Sequence, residues 1–319
     1  MIAVTNWLPE AAVGLLREAG EVRIDERKTA IPRQDLLELV AGAKAILTLL
    51  GDRVDEELLE AAGPQLRCVA NVAVGYDNVD LEAAARRGVV VTNTPGVLDD
   101  ATADLTIALI LAATRRIAEG DRLVRSGRAW NWGMSFMLGS SLQGRLLGIV
   151  GLGGIGSKVA VRARAFGMEI AYHSRHPAPA EVATALDAER MPLERLLAEA
   201  DVISLHCPLT AETHHLIGAA ELAAMKPSAV LINAARGPVV DEGALAEALA
   251  ERRIAAAGLD VYEREPHVER RLPDLDNVVL SPHLGSATVE TRTAMAELAA
   301  RNAISVLSGQ GPLTPVPSQ

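Results

Sequence analysis

The segment "RLLGIVGLGGIGSKVA", residues 145–160, limits what this chain can fold into more than any other. A short apolar run enters G-x-G-x-x-G, a helical pattern follows, and a second apolar run, "EIAYH", occupies 169–173. Strand, glycine turn, helix and strand make up the dinucleotide-binding fingerprint. In that fingerprint the glycines permit a tight turn, close approach of a pyrophosphate, and close packing of helix on strand. Gly151, Gly153 and Gly156 fill these roles, with Gly154 beside them, and the phosphates would rest on the N-terminus of the following helix. The glycine pattern alone turns up in many loops; its flanking strand and helix are what give it meaning.

The fingerprint also expects an acid about 20 residues on, at the tip of the second strand, to hold the ribose hydroxyls. The tip here reads His173, Ser174, Arg175, His176. A carboxylate would repel a 2′-phosphate, whereas a hydroxyl donor and a guanidinium suit one through charge-assisted hydrogen bonds. Ser174 and Arg175 therefore point to NADPH in preference to NADH. The competing reading is a solvated surface arginine beside a site that accepts NADH.

Elsewhere the chain alternates. Strands are expected at 2–6, 45–50, 66–72 and 89–96, with helices at 11–20, 55–63 and 81–88. One long helical segment is expected over 99–127, followed by the fingerprint and by strands at 201–209, 229–237, 255–262 and 277–284. An amphipathic helix of about six turns closes the pattern at 288–309. Short apolar strands alternating with helices predict an α/β fold of two doubly wound parallel-sheet domains. A chain of 319 residues, 49% hydrophobic, can bury two such cores. Only the tail at 309–319, "GQGPLTPVPSQ", reads as unstructured.

The formal net charge of −10 argues against nucleic acid as a partner and requires a local positive site for any anionic ligand. The start, "MIAVTNWLPE", has no basic leader pattern, and the longest apolar run, at 105–114, is too short to span a bilayer. Cys68 and Cys207 read as reduced core thiols, which fits the cytoplasm. No metal is expected: the side chains of the adjacent His214 and His215 should diverge, and nothing nearby completes a zinc spacing. His206, at the end of "SLHCPL", reads as a wall of the cofactor pocket.

Ligands of open α/β sheets bind beyond the carboxyl ends of the strands. Three expected strands end in unusual polar residues: "LINAARGPV" with Arg236, "GLDVYEREP" with Asp260 and Glu265, and "LSPHLGSAT" with His283. Arg236 can grip a carboxylate in the bidentate manner and polarise the adjacent carbonyl. His283 can protonate a carbonyl oxygen as hydride arrives, with Glu265 orienting the ring and favouring its protonated form. Singly, each residue has a plain reading as a surface ion pair, a turn cap or a solvated charge. Delivered to one edge of a nicotinamide-type fold, they make a set suited to reducing a 2-keto acid.

In order and spacing, "GLGGIG", "CPLTAETHHLIG", "INAARGPVVDEGAL", "GLDVYEREP" and "NVVLSPHLGSAT" resemble the D-isomer-specific 2-hydroxyacid dehydrogenases, as does "VANVAVGYDNVDLEAAARRGVVVTNTPG" at 69–96. The resemblance implies Arg236, Glu265 and His283 as the catalytic residues, with backbone groups at Val74 and Gly75 receiving the substrate carboxylate. It implies Thr102, Ile155, Pro208, Thr213, Ala234 and Asp260 along the cofactor. It also implies a discontinuous flavodoxin-like substrate domain, 1–98 plus 286–319, a Rossmann domain at 99–285, and an active-site cleft between them. The basic residue usual inside the fingerprint is replaced by Gly154. "AYHSRHP" and "WNWGMSFMLGSSLQGRLLGIVGLGGIG" are similar to the NADPH-preferring glyoxylate/hydroxypyruvate reductase branch. That branch implies a homodimer in which Trp130 or Trp132 touches the partner's site or packs the dimer arm, and the apolar segment 101–113 is a second candidate interface. The alternatives are an NAD-dependent 2-hydroxyacid dehydrogenase, a 2-ketogluconate reductase, and a dinucleotide-sensing corepressor-like scaffold.

Overall fold

The computed structural model describes residues 1–316 and divides into two compact units, residues 1–98 with 286–316, and Asp99–Gly285. The first unit runs β1 (Ile2–Val4), α1 (Glu10–Ala19), β2 (Val22–Ile24), α2 (Arg33–Val40), β3 (Ala45–Thr48), α3 (Glu56–Ala62), β4 (Cys68–Asn71), α4 (Leu81–Arg86) and β5 (Val90–Thr92). Its parallel sheet has the order β2-β1-β3-β4-β5. β1, β3 and β4 are buried along their whole length, as the central strands of a two-sided parallel sheet must be. Aspartates start α3 and α4, Asp55 accepting from the Leu58 N–H and Asp80 from the Ala83 N–H. β2 and α2 escape the sequence reading: the strand is a three-residue edge, and the helix manages only two turns.

The second unit begins with α5 (Asp99–Thr114) and α6 (Ile117–Arg125), then β6 (Leu146–Val150), α7 (Gly154–Ala165), β7 (Glu169–His173), α8 (Ala180–Leu186), β8 (Ala188–Arg190) and α9 (Leu193–Glu199). It continues through β9 (Val202–Leu205), α10 (Ala219–Ala224), β10 (Val230–Asn233), α11 (Glu242–Ala250), β11 (Ala256–Leu259) and β12 (Val278–Leu280). All neighbours in the order β12-β11-β10-β9-β6-β7-β8 pair in parallel. Alternate residues feed two apolar layers: Ile203, Leu205 and Leu231 join one, Val202, Val230 and Ile232 the other. β6 sits where the strand order reverses, the switch point at which such sheets open a crevice.

The single long helix expected over 99–127 is in fact two. Arg116 adopts a left-handed backbone, φ 56°, and its guanidinium grips Glu119 at 2.7 Å to start α6. Periodicity alone does not register one residue of opposite hand. The apolar residues of α5 are also committed: Ala103, Ile107, Leu109, Ile110 and Ala113 are buried in the core of their own unit. That largely removes 101–113 as a candidate interface.

The closing helix α12 (Val289–Leu307) returns to the first unit and packs on α1, β3 and β4. The tail after it is ordered, contrary to expectation, as far as Val316. Gly309 and Gly311, φ 81° and 83°, reverse the chain, and fully buried Asn302 then accepts the N–H groups of Leu313 and Thr314 at 2.9 and 3.0 Å. The Thr314 hydroxyl donates to the Asn93 carbonyl at 2.6 Å, and the Val316 N–H to that of Val91 at 2.9 Å. The expectation for 317–319 falls outside the described residues. No helix among the described residues is long and apolar enough to cross a membrane.

Candidate active site

The turn between β6 and α7 shows why each glycine stands where it does. Gly151 has φ 98°, and a Cβ there would lie 2.8 Å from the His206 carbonyl carbon and the Cys207 nitrogen. A Cβ on Gly156 would lie 2.3 Å from the Gly151 oxygen, so α7 can seat itself on the turn only without one. Around Gly153 a Cβ would meet nothing within 4 Å, which leaves the backbone open to a diphosphate. Gly154 faces Asp99: a Cβ there would lie 2.3 Å from Oδ2. This carboxylate fills the space a basic side chain would need, and burial and the charge of Asp100 push it up, against Lys158. Ile155 packs on the apolar layer beneath.

His206 backs this turn. Its Nε2 lies 2.8 Å from the Ser204 hydroxyl, while its Nδ1 is sealed from solvent without a protein partner. Burial pushes the ring down to about 4, so it stays neutral. Pro208 and Thr213 shape the exit from β9: the Thr213 hydroxyl donates to the Pro208 carbonyl at 2.7 Å and accepts from the Thr210 N–H at 2.8 Å. Thr102 of α5 lies beneath Gly285, whose added Cβ would sit 3.3 Å from its side chain and 3.4 Å from Asp260.

At the tip of β7 the Ser174 hydroxyl donates to the His176 carbonyl at 2.6 Å. Arg175 is exposed, and its charge helps hold Glu212 low, after the hydrogen bond from Thr210. A second guanidinium, missed in the sequence, is also present. Arg190 at the end of β8 donates to the carbonyls of Ser174 and Arg175, each at 3.0 Å. No local pattern marks it, because the pairing of β8 with β7 is what brings it there.

The catalytic candidates sit at the carboxyl ends of β10, β11 and β12. Asn233 ends β10 and forms the turn, Oδ1 accepting the Ala235 N–H at 3.1 Å and Nδ2 donating to the Arg236 carbonyl at 2.9 Å. Ala234 and Arg236 follow from that turn, both partly buried. Gly237 then lies on the Tyr262–Glu263 peptide so closely that a Cβ would be 1.8 Å from the Tyr262 carbonyl carbon. Tyr262 joins the next two loops: its N–H donates to Glu265 Oε1 at 3.1 Å and its hydroxyl to the Ser281 carbonyl at 2.9 Å.

Glu265 Oε2 is 2.8 Å from His283 Nδ1, which leaves Nε2 for a substrate. Burial works to raise the Glu265 carboxyl. The hydrogen bond and charge of His283, the Tyr262 N–H and the charge of Arg236 together hold it below the ordinary carboxylate value. His283 itself has a left-handed backbone, φ 56°, an uncommon conformation that its surroundings must enforce. Asp260 supplies that support: it is 1% exposed, and its carboxylate accepts from the Ser281 hydroxyl and from the N–H groups of Leu284 and Gly285 at 2.7 and 2.8 Å. Its carbonyl accepts the His283 N–H at 2.8 Å.

Arg236, Glu265 and His283 thus share one edge of the second unit with the cofactor candidates, while Val74 and Gly75 belong to the first unit, beyond β4. There Asn93 donates to the Val74 carbonyl and Asn71 to that of Gly75, each at 2.8 Å. Trp130 and Trp132 are exposed, Trp130 stacking on Phe136 with ring centroids 5.7 Å apart. His214 and His215 do not diverge as expected. The left-handed backbone of His215 brings its ring to 4.1 Å from its neighbour's, and its Nε2 to 3.1 Å from Glu263. Both cysteines are free thiols, pushed by burial to about 12 at Cys68 and about 11 at Cys207.

Known proteins resemble this chain in sequence and fold. Residues 107–285 match the family described as D-isomer specific 2-hydroxyacid dehydrogenase, NAD binding domain. The chain is 51% identical to the glyoxylate reductase of Thermococcus litoralis over 98% of its own length and 95% of that protein's. A crystal structure of a glyoxylate reductase from Paecilomyes thermophila superposes with a TM-score of 0.90 at 35% identity, covering 99% of this chain and 98% of that one. An NADPH-dependent glyoxylate/hydroxypyruvate reductase from Sinorhizobium meliloti, solved with NADP and malonate, does so with a TM-score of 0.85 at 38% identity, covering 99% and 96%. With its glycine turn at the switch point and its Arg, Glu and His at the sheet edge, the chain belongs to the D-isomer-specific 2-hydroxyacid dehydrogenase family and is an NAD(P)-dependent oxidoreductase.

Proposed function

We propose that this enzyme reduces small 2-keto acids, glyoxylate and hydroxypyruvate first among them, to 2-hydroxy acids with NADPH. The observation that carries the reading is the Glu265–His283 contact of 2.8 Å at the strand edge that also holds Arg236. Arg236 grips the substrate carboxylate in the bidentate manner and polarises the keto carbonyl. His283 delivers a proton from Nε2 to the carbonyl oxygen, and Glu265 holds the ring through Nδ1. The bound dinucleotide supplies the hydride. Gly151 to Gly156 would cradle its diphosphate, with His206, Pro208, Thr213, Ala234, Asp260 and Thr102 along it.

Two guanidiniums and a hydroxyl at the β7 tip, and no carboxylate within it, support NADPH over NADH. In this reading the second unit is the dinucleotide-binding domain and the first the substrate-binding domain. A homodimer is supported by the exposed Ile117, Val124, Trp130, Trp132, Met134 and Leu138, and free thiols suit the cytoplasm.

Initial rates with NADPH and NADH in parallel, against glyoxylate, hydroxypyruvate, pyruvate and 2-ketogluconate, test the reading. NADPH should win and the preferred acid names the pocket; faster turnover with NADH would reverse the cofactor assignment. Replacing Arg175 by Gln should then raise the KM for NADPH about 10–100-fold, the scale of a lost charge-assisted contact of about 1.5–3 kcal/mol, with NADH little changed. Equal effects on both would place Arg175 in solvent.

A further inference from the structure

Glu242 is the first residue of α11, where an acid is ordinarily explained by the helix dipole. Here it is 7% exposed, and its carboxylate faces the loop that carries Glu265. Oε1 accepts the Glu263 N–H at 2.6 Å and Oε2 the Glu269 N–H at 3.3 Å. Glu263 reciprocates, its Oε1 accepting the Glu242 N–H at 3.0 Å and meeting His215 Nε2 at 3.1 Å. The His215 N–H in turn donates to the Pro238 carbonyl at 2.7 Å, in the turn that follows Arg236. Burial and the charges of Glu263 and Glu269 push the Glu242 carboxyl up, and the two backbone N–H groups oppose them.

Residues 263 and 269 bracket Glu265. A cleft of about 720 Å³ borders the loop, lined by His215, Asp241, Glu263, Pro266, His267 and Glu269 among others. The loop is thus open to solvent along that cleft, and one buried carboxylate reaches both of its ends.

We propose that Glu242 is a positioning residue for the acid pair: it fixes the loop 263–269 so that Glu265 meets the Tyr262 N–H and His283 Nδ1 together. The proposal rests on the reading of His283 as proton donor. Without the anchor, Glu265 drifts from the imidazole, and the ring loses the partner that fixes its orientation. A glutamine at 242 keeps one carbonyl oxygen but sets an NH2 against the second backbone N–H, so one end of the loop is released.

The test compares wild type, Glu242→Gln and His283→Ala by the pH dependence of kcat with NADPH and the preferred keto acid, by the KM for NADPH, and by thermal unfolding. For Glu242→Gln the expected result is a kcat lowered about tenfold, a KM for NADPH within about twofold, and an alkaline limb displaced to lower pH. A lowered melting temperature with kcat and profile unmoved would overturn the proposal and leave Glu242 a stabilising residue only. If the glutamine variant does not fold, Glu263→Gln, which weakens the same fastening, must move the limb in the same direction, and a static limb overturns the proposal. Turnover surviving in His283→Ala would sink the proton-donor reading and this inference with it. An inactive His283→Ala beside an unaltered Glu242→Gln would sink this inference alone.

Discussion

His283 is held at three points, by Glu265 at Nδ1, by the Asp260 carbonyl at its N–H, and by the Asp260 carboxylate through the two residues that follow it. Truncating it to Ala removes the proposed proton donor and should lower kcat about 10²–10⁴-fold while leaving cofactor affinity intact. Steady-state rates and a binding titration check this; turnover within tenfold of wild type would take the role from His283. His206 makes a different prediction. Its ring falls from 6.5 to about 4 in the folded chain, so between those values the unfolded chain binds a proton that the native one refuses. The stability it contributes is complete above its unfolded value and is lost as pH falls toward the folded one, up to about 3 kcal/mol in all. His206→Gln should flatten the denaturation midpoint across that window, and an unchanged slope would refute the assignment. Arg236, Glu265 and His283 were legible as rare polar residues after apolar runs. Asn233, Tyr262 and Arg190 were not, because their roles lie in hydrogen bonds to backbone groups that only the fold places beside them.

Among the elements, the strand–turn–helix around the glycines was the most legible, since each glycine answers a local steric demand. Gly156→Ala tests that demand. Its Cβ would collide with the Gly151 oxygen, so α7 must lift and spoil the proposed diphosphate cradle. Overpacking of this kind costs about 1–3 kcal/mol, and dinucleotide affinity should weaken about 5- to 100-fold in a nicotinamide fluorescence titration. Unchanged affinity would mean that the diphosphate binds elsewhere. The break between α5 and α6 was illegible because Arg116 carries no mark of a left-handed residue in its type. β2 and β8, three residues each and largely solvent-facing, were too short for a period to show.

Across the whole chain, the first unit is assembled from both ends. α12 and the segment through Val316 close onto β4 and β5 through Asn302, which ties down two N–H groups and the Thr314 hydroxyl. Asn302→Ala should leave the two N–H groups unsatisfied and cost about 2–4 kcal/mol, seen as a lower denaturant midpoint for the first unit, and a shift below about 0.5 kcal/mol would show the tail to be dispensable. The sequence by itself determined an α/β chain of two parallel sheets, the dinucleotide turn and the three polar strand ends. Periodicity, φ preference and residue type act over a few positions and can be read there. Tertiary structure alone decided that the tail is a structural element, with the Thr314 hydroxyl reaching Asn93 across 221 positions, and that Glu242 faces the Glu265 loop instead of water. Hydrogen bonds between distant segments exist only after packing brings donor and acceptor together, and no local pattern records them.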